Sequence, residues 1–167
     1  MSLFVSIPLL ALAAILQSSV MPQIRIAHGE PDLVFLMVLA YSINANLDRA
    51  VIWSFVGGIF QDLLSFAPLG TSVMGMILMT FGVNSLGRQV YGIGFLTLVA
   101  LVLVGTLVKQ FLALIIISAS GMPINLISGF TQVILPTMLY NLVFFWPVYG
   151  FIRLVQRRAE EPTGARV

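Results

Sequence analysis

Six apolar runs fill most of this chain, with short polar stretches between them. They cover residues 2–21, 31–47, 50–66, 69–86, 90–118 and 129–154. No charge interrupts the first run. No Lys or Arg precedes it, and Gln17-Ser18-Ser19-Val20-Met21-Pro22 is a poor small-residue cleavage site, so a retained helix is expected rather than a signal peptide. Asp32 lies in the first turn of the second run, where the positive end of a helix favours an anion. The second and third runs are near the lower length limit for crossing a bilayer. The polar turn 44–49 between them is too short for anything but antiparallel neighbours.

The third run carries the stretch around which the rest is organised, Gly57-Gly58-Ile59-Phe60-Gln61-Asp62-Leu63-Leu64, followed by Ala67-Pro68-Leu69-Gly70-Thr71. Paired glycines let a neighbouring helix approach closely, and Pro68 and Gly70 give a tight reversal into the fourth run. That run opens with Thr71 and Gly75 at small-xxx-small spacing. Gly57, Gly58, Gly70, Thr71 and Gly75 are therefore the expected helix-packing positions. The fifth run is long and is broken chemically by Lys109-Gln110. A turn-rich link, 119–125, leads to the sixth, where Pro136 and Pro147 are expected kinks. The pattern predicts an all-α integral membrane bundle of six transmembrane helices, a single domain over 1–155, with a disordered cytoplasmic tail over 156–167.

Composition sharpens this picture. The 167 residues are 59% hydrophobic and 8% charged, with mean hydropathy +1.06. Soluble domains carry about a quarter charged residues, so the solvent here is lipid. The absence of cysteine excludes disulfides, thiol catalysis and thiolate metal sites. The net charge of +2 is not a nucleic-acid footprint, because the basic residues are scattered over loops and tail. They report topology instead. With both termini in the cytoplasm, Arg49, Arg88, Arg153, Arg157, Arg158 and Arg166 lie inside and Arg25 outside, as the positive-inside rule requires. Trp53, Tyr91, Trp146 and Tyr149 fall near the inner interface in the same arrangement.

Candidate chemistry is sparse. There is no Gly-rich phosphate loop, zinc motif or nucleophile elbow. His28, Glu30 and Asp32 share a loop, and a lone histidine beside two acids there is read as solvated, so no metal or other cofactor is expected. Among the acids only Asp62 sits inside a span, which leaves no carboxylate pair for acid–base work and argues against an enzyme. The expected topology gathers Gln17, Gln61, Asp62, Lys109, Gln110 and Gln132 in the outer half, with Asn141 further along the last helix. A carboxylate or ammonium in a span is costly and pairs where it can, so Asp62 is expected to meet Lys109. Such a slab suits a solute site, a watery crevice, a partner-docking face or a structural cluster that fixes helix register.

The chain resembles the MreD family, bacterial membrane proteins of rod-shape determination. The resemblance covers most of the length. Pro31-Asp32-Leu33, Gly57-Gly58-Ile59-Phe60-Gln61-Asp62-Leu63, Pro68-Leu69-Gly70-Thr71 and Pro136-Thr137-Met138-Leu139-Tyr140-Asn141 carry it. It implies a non-enzymatic scaffold of the cell-elongation and peptidoglycan-synthesis machinery in the bacterial cytoplasmic membrane. The implied partner is an MreC-like bitopic protein with a periplasmic coiled coil, alongside RodA, a class B penicillin-binding protein, MreB and membrane lipid. The family's helices also resemble the six-helix S-component fold of energy-coupling-factor transporters, which implies an alternative, a membrane subunit that captures a vitamin or other small solute. Many S-components carry Ala-x-x-x-Ala in the first helix, and Ala11, Ala13 and Ala14 do not give that spacing.

Overall fold

The apolar runs form six helices in a computed structural model that describes residues 3–24, 29–65, 67–87, 94–121 and 129–160. They are α1 (Leu3–Ser19), α2 (Leu33–Asn44), α3 (Leu47–Leu63), α4 (Thr71–Gly87), α5 (Phe95–Ala119) and α6 (Leu135–Glu160). A short 3-10 turn, Met21–Ile24, follows α1, and a π-helical turn, Phe130–Ile134, runs straight into α6. The protein is an all-α membrane bundle. The segments Ser6–Gln23, Phe95–Ala119 and Phe130–Arg158 are long and apolar enough to cross a membrane.

The second apolar run yields only the 12-residue α2, about 18 Å of helix, shorter than a bilayer core. It is a central buried helix, not a lipid-facing span. Val34, Phe35, Leu36, Val38, Leu39 and Ala40 are all fully buried. A helix that is apolar all round belongs inside, and α2 packs against α1, α3, α4 and α6. Helices α1, α3 and α4, each of 17 residues, and the longer α5 and α6 enclose it. Hydroxyls close the junction of α2, α3 and α4, where Thr80 Oγ1 lies 2.5 Å from Ser54 Oγ and 3.3 Å from Ser42 Oγ.

Trp53 is buried in the bundle and stacked on Tyr41 of α2 at 4.0 Å. Trp146 is exposed on α6 and stacks on Phe95 at 4.9 Å. Lys109 does not break the fifth run, because α5 is continuous through it. The expected irregularity near Pro136 takes the form of the π turn. Pro136 has no N–H to give the preceding turn, and Leu135 N–H bonds the Phe130 carbonyl five residues back. The last helix also continues past residue 155 to Glu160, and Gln156 is buried, its amide donating to the Tyr41 carbonyl at 3.5 Å. The expectations placed on Arg25, His28, Arg88, Tyr91 and Arg166 lie outside the described residues.

Antiparallel neighbours bring the start of α1 and the end of α6 to one end of the bundle, together with the α2–α3 turn. The opposite end holds the ends of α1 and α3 and the starts of α2 and α4. The polar residues converge there.

Candidate functional site

Asp32 ends the approach to α2 and caps it, its Oδ1 accepting the Phe35 N–H at 3.2 Å. Its other oxygen receives the Lys109 ammonium from α5 in a buried ion pair. Gln61 of α3 links both partners. Its Nε2 donates to Asp32 Oδ1 at 3.0 Å, and its Oε1 accepts from Lys109 Nζ at 2.9 Å. Asp32 and Lys109 are only 4% and 5% exposed, so each charge relies on this ring for solvation. The ammonium also lies 5.5 Å from the centre of the Phe35 ring, a cation–π distance.

The network extends to α6 and α1. Fully buried Asn141 accepts the Asp32 N–H at 2.8 Å and donates to Thr106 Oγ1 at 3.0 Å. Gln17 Oε1 accepts the Val34 N–H at 3.0 Å, satisfying an otherwise orphan donor in the first turn of α2. One constellation thus ties α1, α2, α3, α5 and α6 together. Among the described residues no buried side-chain nitrogen or oxygen lacks a partner.

The expected Asp62–Lys109 pair does not form. Asp62 faces the other way, into the start of α4, where Oδ2 accepts the Gly70 N–H at 2.7 Å and Oδ1 the Ser72 N–H at 2.9 Å. Two free amides at the positive end of a helix satisfy a carboxylate without a cation. Lys109 is left to Asp32 at the start of α2. Thr106 was also missed, although it sits three residues before Lys109 on the same helical face. The run behind Asp32 closes into only 12 helical residues. A helix too short to span starts below the surface, and its capping residue goes in with it.

The packing positions divide into three kinds. A Cβ on Gly58 would lie 2.6 Å from Val73 Cα, so α3 and α4 meet backbone to backbone there. Gly57 faces Val38 and Val34 methyls, and Gly75 faces the Lys109 stem, 2.8 Å from Cγ. Gly70 is a correction: it has open space around it and φ of +98°, so it serves the turn rather than a helix contact. Thr71 is buried with its hydroxyl donating to the Pro68 carbonyl at 2.7 Å, closing the same turn. Gln110 is half-buried on α5 and Gln132 is exposed on the π turn, and neither is drawn into the network around Lys109.

Beside the network a cleft of about 260 Å³ opens between α1, the 3-10 turn and the end of α3, lined by Gln17, Ser18, Glu30, Gln61 and Ser65 among others. No cluster of three or more potential metal-ligating side chains occurs among the described residues. A family model described as rod shape-determining protein MreD matches residues 1–158. The chain belongs to the MreD family. The match spans α1 to α5, α6 as far as Arg158 and every residue of the polar network, so the network is part of an MreD protein's membrane body. It also makes this a membrane protein of bacterial shape determination. No curated protein and no solved structure matches the chain.

Proposed function

We propose that this MreD-family protein is a non-enzymatic scaffold of the cell-elongation machinery. In this reading it sits in the cytoplasmic membrane with both termini in the cytoplasm and holds an MreC-like bitopic partner. The observation that carries the reading is the closure of the intramembrane charges on one another. Lys109 and Asp32 saturate each other with Gln61, and Asp62 is saturated by the α4 amides. A closed network gives rigidity and register, which suits a body whose work is to be held and to hold. The surface left for a partner is apolar. Along α6 a shallow groove of about 330 Å³ is lined by Leu135, Pro136, Leu139, Tyr140, Val143 and Phe144. A single transmembrane helix packs against such a face by van der Waals contact. Exposed Arg49, Arg153, Arg157 and Arg158 at the end that holds the termini support the cytoplasmic assignment.

The test is deletion of the gene together with affinity purification of the tagged protein from native membranes. Loss of the protein should turn rods into round cells, and the purified protein should retain a single-pass coiled-coil partner. Leu139→Arg on the groove should release that partner while the helical fold persists. Normal rods with a vitamin requirement, and a vitamin retained in place of a partner, would favour the solute-capturing reading.

A further inference from the structure

Helix α6 outlasts its neighbour α5 at the end of the bundle that holds the termini. The first residue of α5, Phe95, stacks on Trp146 at 4.9 Å, so α5 begins at the level of Trp146. From there α6 runs on to Glu160, about 21 Å further. Its inward stripe, Val148, Ile152 and Gln156, stays buried against the bundle. On another side Trp146, Gly150, Arg153 and Arg157 follow at spacings of four, three and four, which places them on one face of the helix. All four are exposed. In order of depth this face presents a stacked aromatic pair, bare backbone and two arginines. A Cβ on Gly150 would meet nothing within 4 Å, so space is open there.

The depth suits a phospholipid. About 20 helical residues cross a hydrocarbon core of about 30 Å. Counted from Phe130, where the apolar segment of α6 starts, the core ends near Gly150. Trp146 then lies against the acyl chains, at the edge where its ring is favoured. Arg153 and Arg157 follow about 5 and 10 Å beyond the core. Helical side chains lean toward the N-terminus, which returns Arg157 toward the phosphates.

The charge suits an anion. No acid occurs between Leu135 and Arg158. Among the described residues neither Arg153 nor Arg157 enters an ion pair. Glu160 and Glu161 follow, two acids after the three arginines Arg153, Arg157 and Arg158, so this stretch stays net positive. Like charges one helical turn apart repel, and an anion shared between them removes that repulsion. We propose that this face of α6 binds one anionic phospholipid. Its phosphate is held by Arg153 and Arg157, its glycerol lies at Gly150, and an acyl chain follows the Phe95–Trp146 stack. Arginine donates in a planar fork that matches phosphate oxygens. A zwitterionic headgroup brings its own ammonium to the same arginines and is disfavoured. In the orientation proposed above, this lipid belongs to the cytoplasmic leaflet. The face lies past the apolar groove on α6 and needs no partner bound there.

The test is native mass spectrometry of the full-length protein in mild detergent, supplied with equal amounts of phosphatidylglycerol and phosphatidylethanolamine. Wild type should retain one phosphatidylglycerol per chain in preference to phosphatidylethanolamine. Each arginine near an anionic surface contributes about fivefold in affinity, so Arg153→Gln with Arg157→Gln should weaken retention about 25-fold. Gly150→Phe fills the bare stretch with every charge kept, and it should abolish retention at unchanged melting temperature. Arg49→Gln removes a like charge from α3 at the same end, and should change retention by less than about twofold. If the arginine variant does not fold, Gly150→Phe decides, and the wild-type headgroup preference decides if neither folds. Equal retention of the two lipids, or undiminished retention in a folded variant, would overturn the proposal. An equal loss with Arg49→Gln would also overturn it, showing diffuse surface charge only. So would unchanged lipid retention together with loss of an acidic protein from native complexes of the arginine variant, which would assign the arginines to a protein partner.

Discussion

Replacing Asp32 by Asn is the sharpest probe of how this bundle is held. Asn remains a good N-cap, so the Phe35 N–H keeps its acceptor and the change isolates the charge. Lys109, 5% exposed, is then left as a buried cation with only the Gln61 carbonyl and the Phe35 ring beside it. Removing one partner of a buried pair costs about 3–5 kcal/mol, because the other charge stays desolvated. Lys109→Met retains the stem that packs against Gly75 and leaves Asp32 without its cation, at a similar cost. The double variant has no orphan charge, so its loss should fall below the sum of the singles by about 2–3 kcal/mol. The assay is reversible unfolding in mixed micelles by SDS titration, followed by far-ultraviolet circular dichroism. Losses that add to within about 0.5 kcal/mol would refute the pair. Coupling of Lys109→Met to Asp62→Asn instead would restore the partner that the sequence suggested.

Three further outcomes follow from the same geometry. Asp62→Asn should cost about 1–3 kcal/mol, because the carboxamide keeps one acceptor oxygen and turns its NH2 toward the other of the Gly70 and Ser72 amides, and should add independently to Lys109→Met in the same titration. Gly58→Ala should cost about 1–3 kcal/mol because its Cβ meets Val73 backbone, while Gly57→Ala, which meets only side-chain methyls, should cost less; the reverse order would show that α3 is rotated from this arrangement. Asn141→Leu should leave the Asp32 N–H and the Thr106 hydroxyl unpaired at about 1–3 kcal/mol each, and adding Thr106→Val should recover part of the loss, measured as unfolding midpoints.

Much of this protein was legible in its residue order. Scarce charge and long apolar runs make lipid the solvent, and six runs make six helices, because backbone groups in lipid must bond within their own segment. Gly57-Gly58 before Gln61-Asp62, and Pro68-Leu69-Gly70-Thr71 after them, marked the α3–α4 corner as a close helix contact, although the centre of the bundle is α2. The choice of partners was not legible. Gln61 and Asp62 are adjacent, so on a helix they point about 100° apart. One was bound to face Lys109 and the other α4, and nothing in the local pattern says which. That depends on the rotation of α3 about its axis, set by Gly58 lying against Val73 and Gly57 against α2. The depth of Asp32 was hidden for a related reason. The second apolar run was as hydrophobic as a span, yet it closes into only 12 helical residues at the centre of the bundle and carries its capping carboxylate inward with it. Trp53 followed the same rule, stacking on Tyr41 because that face of α3 turns toward α2. Local sequence determines which segments are helical and that their charges need partners. Helix rotation and depth, which are properties of all six helices packed together, decide which partners they find.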